Sequence, residues 1–372
     1  MNAGPIPSTA ANRRAFLRTA GAALTVPAAA ALIGGVSAGT AGAAPVAGTS
    51  AEATSPLDLP DFAPIPPAAS GPALNAAGYH VGRINGHLYW VTDGSYQSMF
   101  LSTKDGVVLV DAPPTIGHNL QRAIDDVTLA NGRPNRVTHL IYSHSHADHA
   151  GASSIFGKDV VRIGHSECRR LLVRDADPNR PAPRVTFDER YTLHVGGETL
   201  ELAYHGPNHS PDNIFIHAPA HGTLMLVDVL YPGWVPFKGL AVSQDIPDWL
   251  QSQHTAMDYP WQTLVGGHLG RLGTRADADL QLAYLADLAA GVRGAMNLDP
   301  TPYFAKYGPA GNSWAVFRTY LDAVAKKAAD PVIAKYTGVL AAADVFTQEN
   351  AATLVESFRI DSGILGPFST HP

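Results

Sequence analysis

The chain has 372 residues, of which 45% are hydrophobic and 16% charged, a composition that excludes a disordered chain and suits one large or two ordinary globular domains. The formal net charge is −6 and basic residues are not clustered, which argues against a nucleic-acid partner, because such a partner needs Lys and Arg to displace counterions. The single cysteine, Cys168, excludes an intramolecular disulfide. It stands beside apolar residues, so we expect it to be buried rather than nucleophilic.

The first 43 residues have the pattern of an export signal. The Arg13-Arg14 pair is followed by a weakly apolar run over residues 20–36 and by small residues up to Ala43, which resembles a twin-arginine signal cleaved near that alanine. We expect a secreted or periplasmic protein that uses the twin-arginine export machinery. The apolar run is interrupted by Pro27 and is too weak for an anchor, so no stable membrane insertion is expected. Removing the signal takes away three arginines and no acidic residue, which changes the formal charge from −6 to −9.

Residues 44–75 are predicted to form a linker or a strap on the surface, because they are rich in Ala, Ser and Pro and the prolines block regular structure. From Tyr79 the chain changes to short β-type runs. Asp93-Gly94 and Asp105-Gly106 separate these runs and are typical of hairpin turns.

Predicted strands and helices alternate from about residue 106 to residue 230. The strand that ends at Asp111 is followed by a helical pattern in residues 119–127 and then by the strand Thr138–Ser143. A further strand, a helix around Cys168 and several strand pairs follow in the same manner. Strands separated by helices indicate a layered α/β core.

Beyond about Arg275 the apolar spacing becomes helical, which predicts a helical C-terminal extension over residues 276–372. The last helix is expected to begin with Thr347 as its N-cap. The apolar positions that define the faces of the first two predicted helices are Leu280, Tyr284 and Leu288, followed by Trp314, Phe317, Leu321 and Val324.

Three histidines and one aspartate lie within six residues just after a predicted strand: His144, His146, Asp148 and His149. A loop that leaves a sheet edge can turn adjacent side chains toward one point, whereas a helix or strand cannot do so at this spacing. Neutral imidazole and carboxylate are ligands that Zn²⁺ prefers. This segment therefore predicts a metal site.

With later motifs in the same order, the sequence resembles the metallo-β-lactamase superfamily of metallohydrolases over roughly residues 79–274. These motifs supply His209, Asp228 and His268, and Asp111 ends an earlier one. The resemblance implies an α/β fold of the αββα sandwich type, in which two β-sheets lie between helices and the site occupies one edge of the sandwich. We expect residues 76–275 to form this catalytic domain.

The resemblance also implies two Zn²⁺ ions per chain. One ion would be held by His144, His146 and His209, the other by Asp148, His149 and His268, with Asp228 between them. Asp111 would orient the metal-binding loop rather than bind. Seven ligands are too many for one tetrahedral zinc and match a pair about 3.5–4 Å apart.

Such a site implies hydrolysis in which a metal-bridging hydroxide attacks a carbonyl group. Asp148 would pass the proton to the leaving group, and Tyr231 is a candidate donor to the oxyanion. The hairpin tip Asp93–Tyr96 is a candidate flap over the site. A Ser nucleophile is not indicated, since no Gly-x-Ser-x-Gly motif occurs.

The aromatic residues Tyr231, Trp234 and Phe237 follow Asp228 closely. They either pack under the C-terminal helices or form an apolar wall for an acyl chain or ring. The second reading favours a small-molecule lactone or ester with an apolar portion.

A β-lactamase is the alternative, because the motif around His209 resembles that of zinc β-lactamases. Those enzymes, however, usually have Cys in place of Asp228, lack the final His of the first motif and carry a Lys nearby. A thioesterase, a phosphodiesterase or a non-catalytic scaffold with the same fold is less favoured. The sequence defines no oligomeric state.

Overall fold

The computed structural model describes residues 59–368. The predicted export signal, including Arg13 and Arg14, and the first part of the predicted linker lie outside the described residues. Within residues 59–368, no helix has both the length and the apolar character required to cross a membrane.

The first described segment, residues 59–75, is extended apart from a short 3-10 turn at Pro67–Ala69. We call it the strap. Its Ala63 N–H donates to the Asp344 carboxylate at 2.6 Å, and its Ala69 carbonyl accepts a bond from the Trp234 indole at 3.3 Å. The strap is therefore attached to the body of the protein at two points, Ala63 and Ala69.

Seven strands form the first sheet and lie in chain order. They are β1 (His80–Asn85), β2 (Leu88–Thr92), β3 (Gln97–Thr103), β4 (Gly106–Val110), β5 (Val137–Ile141), β6 (Val161–His165) and β7 (Val185–Phe187). Neighbours from β1 to β4 are antiparallel, and those from β4 to β7 are parallel. Parallel neighbours need crossover connections, which explains the helices predicted between these strands.

Five strands form the second sheet, in which β11 and β12 alone are parallel. In chain order they are β8 (Arg190–Val195), β9 (Glu198–Ala203), β10 (Phe215–Ala218), β11 (Thr223–Met225) and β12 (Thr263–Val265). Their order across the sheet is β12-β11-β10-β9-β8. Gly196 and Gly197 form the tight turn between β8 and β9 with φ of 59° and 88°, values that favour glycine.

Five helical segments connect these strands. They are α1 (Asn119–Asn131), α2 (Ala147–Ala150), α3 (Ser166–Asp175), α4 (Lys238–Val242) and α5 (Ile246–Asp258). The five residues of α4 are unusual, because their backbone is left-handed from Gly239 onward. Asp245 caps α5 by accepting a bond from the Asp248 N–H.

Alternating side chains of each sheet strand supply two different cores. On β4, Val107 and Leu109 join the core under α1 and α3, whereas Val108 and Val110 join the core between the two sheets, as the two-residue period of a strand requires. The outer face of the second sheet packs on the C-terminal helices through residues such as Phe215. The layers are therefore helix, sheet, sheet and helix, and the predicted αββα sandwich is confirmed.

The C-terminal region is helical, as predicted. Its helices are α6 (Arg275–Ala295), α7 (Thr301–Tyr307), α8 (Ser313–Tyr336) and α9 (Ala343–Ile360). α6 begins with a capping box formed by Thr274 and Asp277. Tyr284 and Leu288 are buried on α6 as expected.

Two details of this region differ from the prediction. Thr347 does not cap the last helix, which begins at Ala343; it is buried inside α9 and accepts a bond from the Tyr284 hydroxyl. Trp314 is 85% exposed, although Val324 of the same predicted face is buried as expected on the inward face of α8. That face holds small residues such as Ala328, which packs so closely on Gly291 of α6 that a Cβ on the glycine would lie 2.8 Å from the Ala328 carbonyl oxygen.

Candidate metal centre and substrate cavity

Five of the seven predicted metal ligands lie in loops that follow strands, whereas Asp148 and His149 lie on the short helix α2 and not in the loop that was expected to carry them. His144 and His146 follow β5, Asp228 follows β11, His268 follows β12, and His209 lies in the loop between β9 and β10. These ends meet at one edge of the sandwich. A loop beyond a strand end leaves side chains free to converge, which a continuing ladder would prevent.

The first ligand group consists of His144, His146, His209 and Asp228, whose ligand atoms all lie within 4.8 Å of one another. His209 Nε2 lies 3.0 Å and His144 Nε2 3.5 Å from Asp228 Oδ2. All but His146 are buried. The group is therefore a pocket of nitrogen and oxygen donors around one carboxylate.

The second group consists of Asp148, His149 and His268, also within 4.8 Å. His149 Nε2 lies 3.3 Å from Asp228 Oδ2, and His268 Nε2 lies 2.8 Å from Asp228 Oδ1. Asp228 thus touches both groups through its two oxygens, in the place predicted for a bridging ligand. The structure brings all seven predicted ligands together.

The donor atoms of these groups suit a bound cation. His144 Nε2 is buried without a hydrogen-bond partner. His146 Nδ1 and His209 Nε2 lie 3.0 Å apart, as do the Nε2 atoms of His149 and His268. Buried polar atoms that converge in this manner are costly unless an ion or proton joins them, and imidazole with carboxylate is a set that zinc accepts. The residues therefore fit a metal centre.

Metal binding requires neutral imidazole and ionised carboxylate, and the pKa shifts of His144 and Asp228 suit it, whereas burial fails to offset Asp228 and Asp111, which raise the pKa of His149 to about 9. Burial and the neighbouring histidines hold the pKa of His144 well below its usual value. Burial would raise the pKa of Asp228, but His209, His149 and His268 outweigh it and hold that pKa well below its usual range.

Neighbouring groups orient the ligands. Ser143 Oγ lies 2.9 Å from His144 Nδ1, which leaves Nε2 of that ring to face the cluster. Asp111 is fully buried; its Oδ1 accepts a bond from the Ser143 N–H, and its Oδ2 lies 3.9 Å from His149 Nδ1. Burial raises the pKa of Asp111 to about 6. Asp111 therefore lies behind the ligands, as expected.

The backbone at Asp228 is left-handed, with a φ of 61°, a conformation that is uncommon in residues with a side chain. The Trp249 indole of α5 donates to the Asp228 carbonyl at 2.9 Å. This buried bond stabilises the backbone orientation that directs the carboxylate toward both ligand groups.

A cavity of about 1000 Å³ opens onto both ligand groups. The strap, the 94–96 turn, the segment from Tyr231 to Gln244 and the start of α9 form its walls. Apart from the metal-ligand residues, its lining residues are Ile65, Gly94, Ser95, Tyr96, Tyr231, Trp234, Val235, Phe237, Ala241, Val242, Gln244, Leu269, Ala342 and Phe346. None of the described residues that line it is Lys or Arg.

The two predicted catalytic residues lie at this cavity. The Asp148 side chain is 41% exposed and lies 3.6 Å from His149 Nε2. Tyr231 is buried, and its hydroxyl donates to Asp228 Oδ1 at 3.1 Å. Burial holds the pKa of Tyr231 well above its usual value, so the hydroxyl keeps its proton.

The other predicted features are also near. Trp234 and Phe237 line the cavity, and the Phe237 ring packs edge-on against Phe346 of α9, so Phe237 both forms the wall and packs on a C-terminal helix. The 93–96 tip lines the site, but it is not a free flap, since the Leu269 N–H donates to the Ser95 carbonyl at 2.7 Å.

Sequence reasoning missed Ile65, Val242 and Phe346 as walls of the cavity. Of these, Ile65 alone had a signal. Leu59, Phe62 and Ile65 recur every third residue in the Pro-rich segment, a spacing that places them on one side of an extended three-residue-per-turn helix.

Comparison with known proteins agrees with this geometry. The family model described as Metallo-beta-lactamase superfamily matches residues 91–268. The 2,4-dinitroanisole O-demethylase subunit alpha of Nocardioides sp. is 27% identical over 224 residues, which are 58% of this chain and 66% of that protein. The matched region is thus just under two thirds of that relative's length.

A further relative is the metallo-beta-lactamase type 2 of Elizabethkingia meningoseptica, 25% identical over 173 residues, which are 46% of this chain and 68% of that protein. Among solved structures, a metallo-beta-lactamase from Pontibacter korlensis has a TM-score of 0.48 and 20% identity, and covers 56% of this chain and 99% of its own. Residues 91–268 are therefore similar to the metallo-β-lactamase superfamily, whose members are generally hydrolytic metalloenzymes.

Proposed function

We propose that the protein is an exported hydrolase with two zinc ions per chain that cleaves a lactone or carboxylic ester with an apolar portion. The observation that carries this proposal is the cavity, which opens onto both ligand groups and has walls of aromatic and aliphatic side chains. An apolar pocket with polar groups at one end is typical of sites for small, partly apolar molecules.

Zinc bound at the two groups would supply a Lewis acid for a carbonyl oxygen and would activate water. The residues of this chain perform the remaining tasks. Asp148 reaches solvent and the cavity together, and a carboxylate in this position accepts a proton and returns it to the leaving group. Tyr231 fixes the orientation of Asp228 through its hydrogen bond. The single hydroxyl hydrogen of Tyr231 is donated to Asp228 and is therefore not free for an oxyanion. The contact between Tyr231 and an oxyanion stays a prediction.

The charge of the cavity favours an ester or lactone over a β-lactam antibiotic. Penicillins and carbapenems carry a carboxylate, and a cationic side chain is its natural partner in a binding site. Among the described lining residues there is no such cation.

An aromatic ether is a second candidate substrate. Trp234, Phe237 and Phe346 give the cavity an aromatic wall, on which an aryl ring packs well. One relative is a 2,4-dinitroanisole O-demethylase subunit, and the same pocket would accept an aryl methyl ether.

The substrate class is tested by measuring kcat/KM on one zinc-loaded preparation for an acyl lactone, 4-nitrophenyl octanoate, 2,4-dinitroanisole and a carbapenem. We expect the lactone or the octanoate to give the highest value. A carbapenem value higher by tenfold or more would favour a β-lactamase, and a highest value for 2,4-dinitroanisole would favour the aryl ether.

The metal count is tested by elemental analysis. His209 and His268 belong to different ligand groups. We therefore expect about two zinc ions per chain in the wild type and about one in each of the variants His209→Ala and His268→Ala. His205→Ala is the matched control, since His205 lies four positions before His209 but contacts Tyr259 outside both groups. A wild type that binds one zinc or fewer, even after zinc is added, contradicts the two-metal proposal.

A further inference from the structure

One wall of the cavity has a left-handed backbone. Gly239, Leu240, Ala241 and Val242 have φ of 64°, 53°, 64° and 53°. Glycine adopts this conformation freely, but residues with a Cβ do so at a cost in free energy, and a β-branched residue does so at the greatest cost.

We call the left-handed residues 239–242 of α4 the turn. The backbone strain at Leu240, which is buried, is offset by the contacts around it. The Leu240 side chain is completely buried in the C-terminal core. Asn350 of α9 accepts a bond from the Leu240 N–H at 2.8 Å and donates to the Pro236 carbonyl at 2.9 Å. Asn350 is itself buried, so the turn is held at both sides by one side chain.

The backbone strain at Val242 is not offset by burial in this manner. It is 63% exposed, so core packing does not explain an apolar, β-branched residue in a left-handed conformation. Asparagine or glycine would fit the backbone better. Strained residues cluster at active sites and ligand clamps, and Val242 lines the cavity.

The position of Val242 is fixed relative to the metal ligands. Two residues later, the Gln244 N–H donates to the His209 carbonyl at 3.1 Å, and the Asp245 N–H donates to the Asn208 carbonyl at 3.0 Å. The turn is therefore tied to α9 at one end and to the His209 loop at the other. A rigid wall residue of this kind selects a ligand by shape.

Two further exposed apolar side chains line the same cavity, namely Ile65 of the strap and Phe237, which are 55% and 49% exposed. Together with Val242 they leave apolar surface in contact with solvent next to the ligand groups. Covering such surface with a hydrocarbon group is favourable.

We propose that Val242 is a specificity-determining residue that contacts the apolar portion of the substrate. The reaction part of this inference rests on the proposed function. The contact itself does not, because any ligand with a hydrocarbon chain that enters the cavity would meet the same side chain.

The test compares Val242→Asn and Val242→Gly with the wild type in the zinc-loaded full chain. We expect both variants to have a Tm at least as high as the wild type, because the strain is relieved. We expect kcat/KM for 4-nitrophenyl octanoate to fall roughly fivefold while that for 4-nitrophenyl acetate changes less than about twofold, as for the loss of one aliphatic contact. Val339→Gly is the matched control, an exposed valine outside the cavity, and should leave the octanoate-to-acetate ratio unchanged.

Binding separates this inference from the proposed function. Calorimetry with 2-decanone, an apolar ketone, should give a Kd roughly fivefold higher for Val242→Asn than for the wild type. If the wild type hydrolyses no ester but this difference in Kd is present, the proposed function fails and the inference stands. An unchanged Kd and an unchanged octanoate-to-acetate ratio overturn the inference, and a lower Tm in both variants overturns its structural basis.

Discussion

At the residue scale, a substitution of Asp148 should affect catalysis but not folding. Its side chain is 41% exposed and lies between His149 and His268, so the fold does not depend on its burial. We expect Asp148→Asn to lower kcat by roughly 10²-fold, the scale of general acid–base catalysis. Steady-state kinetics at saturating substrate give kcat, and circular dichroism should match the wild type.

The control for this variant is Asp330→Asn, which alters an exposed carboxylate on α8 that pairs with Lys326. It should change neither kcat nor the spectrum. Near-normal turnover in Asp148→Asn at full zinc content would remove Asp148 from the mechanism.

The role of some site residues could be predicted from the sequence, and that of others could not. The convergence of the seven proposed ligands was predictable, because metal binding requires a few side-chain types and the chain presents them in short motifs. Val242 was not, since Lys-Gly-Leu-Ala-Val gives no sign of a left-handed backbone. That conformation depends on Asn350, which is 110 positions from Leu240 in the chain.

At the element scale, the strap depends on its bond to α9. The Ala63 N–H donates to Asp344 in the first turn of that helix. We expect Asp344→Ala to destabilise the protein by about 1 kcal/mol, through the loss of one hydrogen bond and of a favourable charge at a helix N-terminus. Thermal unfolding measures the stability, and limited proteolysis should cut the strap faster than in the wild type.

Asp322→Ala is a suitable control, because its exposed pair with Arg318 on α8 contributes little. A strap that resists proteolysis equally in Asp344→Ala and the wild type would show that the Asp344 bond does not hold it.

Elements were predicted well where a local pattern decides them and less well where packing does. Alternation and turn signals located most strands of both sheets, but β1, β7 and β12 were not predicted. The inward face of α8 was wrong at Trp314, because small residues that fit closely against Gly291, rather than the largest apolar residue, determine how α8 packs on α6. The start of α9 was wrong because Ala342, at φ 59°, turns the chain into the helix without a capping side chain.

At the scale of the whole molecule, the predicted export route can be tested directly. If Arg13 and Arg14 direct the twin-arginine route, the double substitution to Lys should keep the protein in the cytoplasm, because that route reads the arginine pair. Cell fractionation followed by immunodetection measures this. Lys104→Arg with Lys158→Arg, at two lysines of the folded domain, is the control and should leave export unchanged. Normal secretion of the arginine-pair variant would refute the assignment.

The fold as a whole was predictable from the ordered motifs, since five motifs in sequence constrain the strands that carry them. The cavity was only partly predictable. Tyr231, Trp234 and Phe237 were expected near the metals, but the contributions of Ile65 and Phe346 arise from contacts between segments far apart in the chain, which no local pattern encodes.

The position of the cavity walls affects how the substrate preference of this protein can evolve. Ile65 and Phe346 lie outside residues 91–268, the part that carries every proposed metal ligand. Substrate preference can therefore drift through substitutions in the strap and at the start of α9 while the chemistry of the centre is left intact. A directed-evolution library confined to residues 59–72 and 340–346 would sample new selectivities at little risk to metal binding. Two homologues with identical centres could then accept quite different molecules.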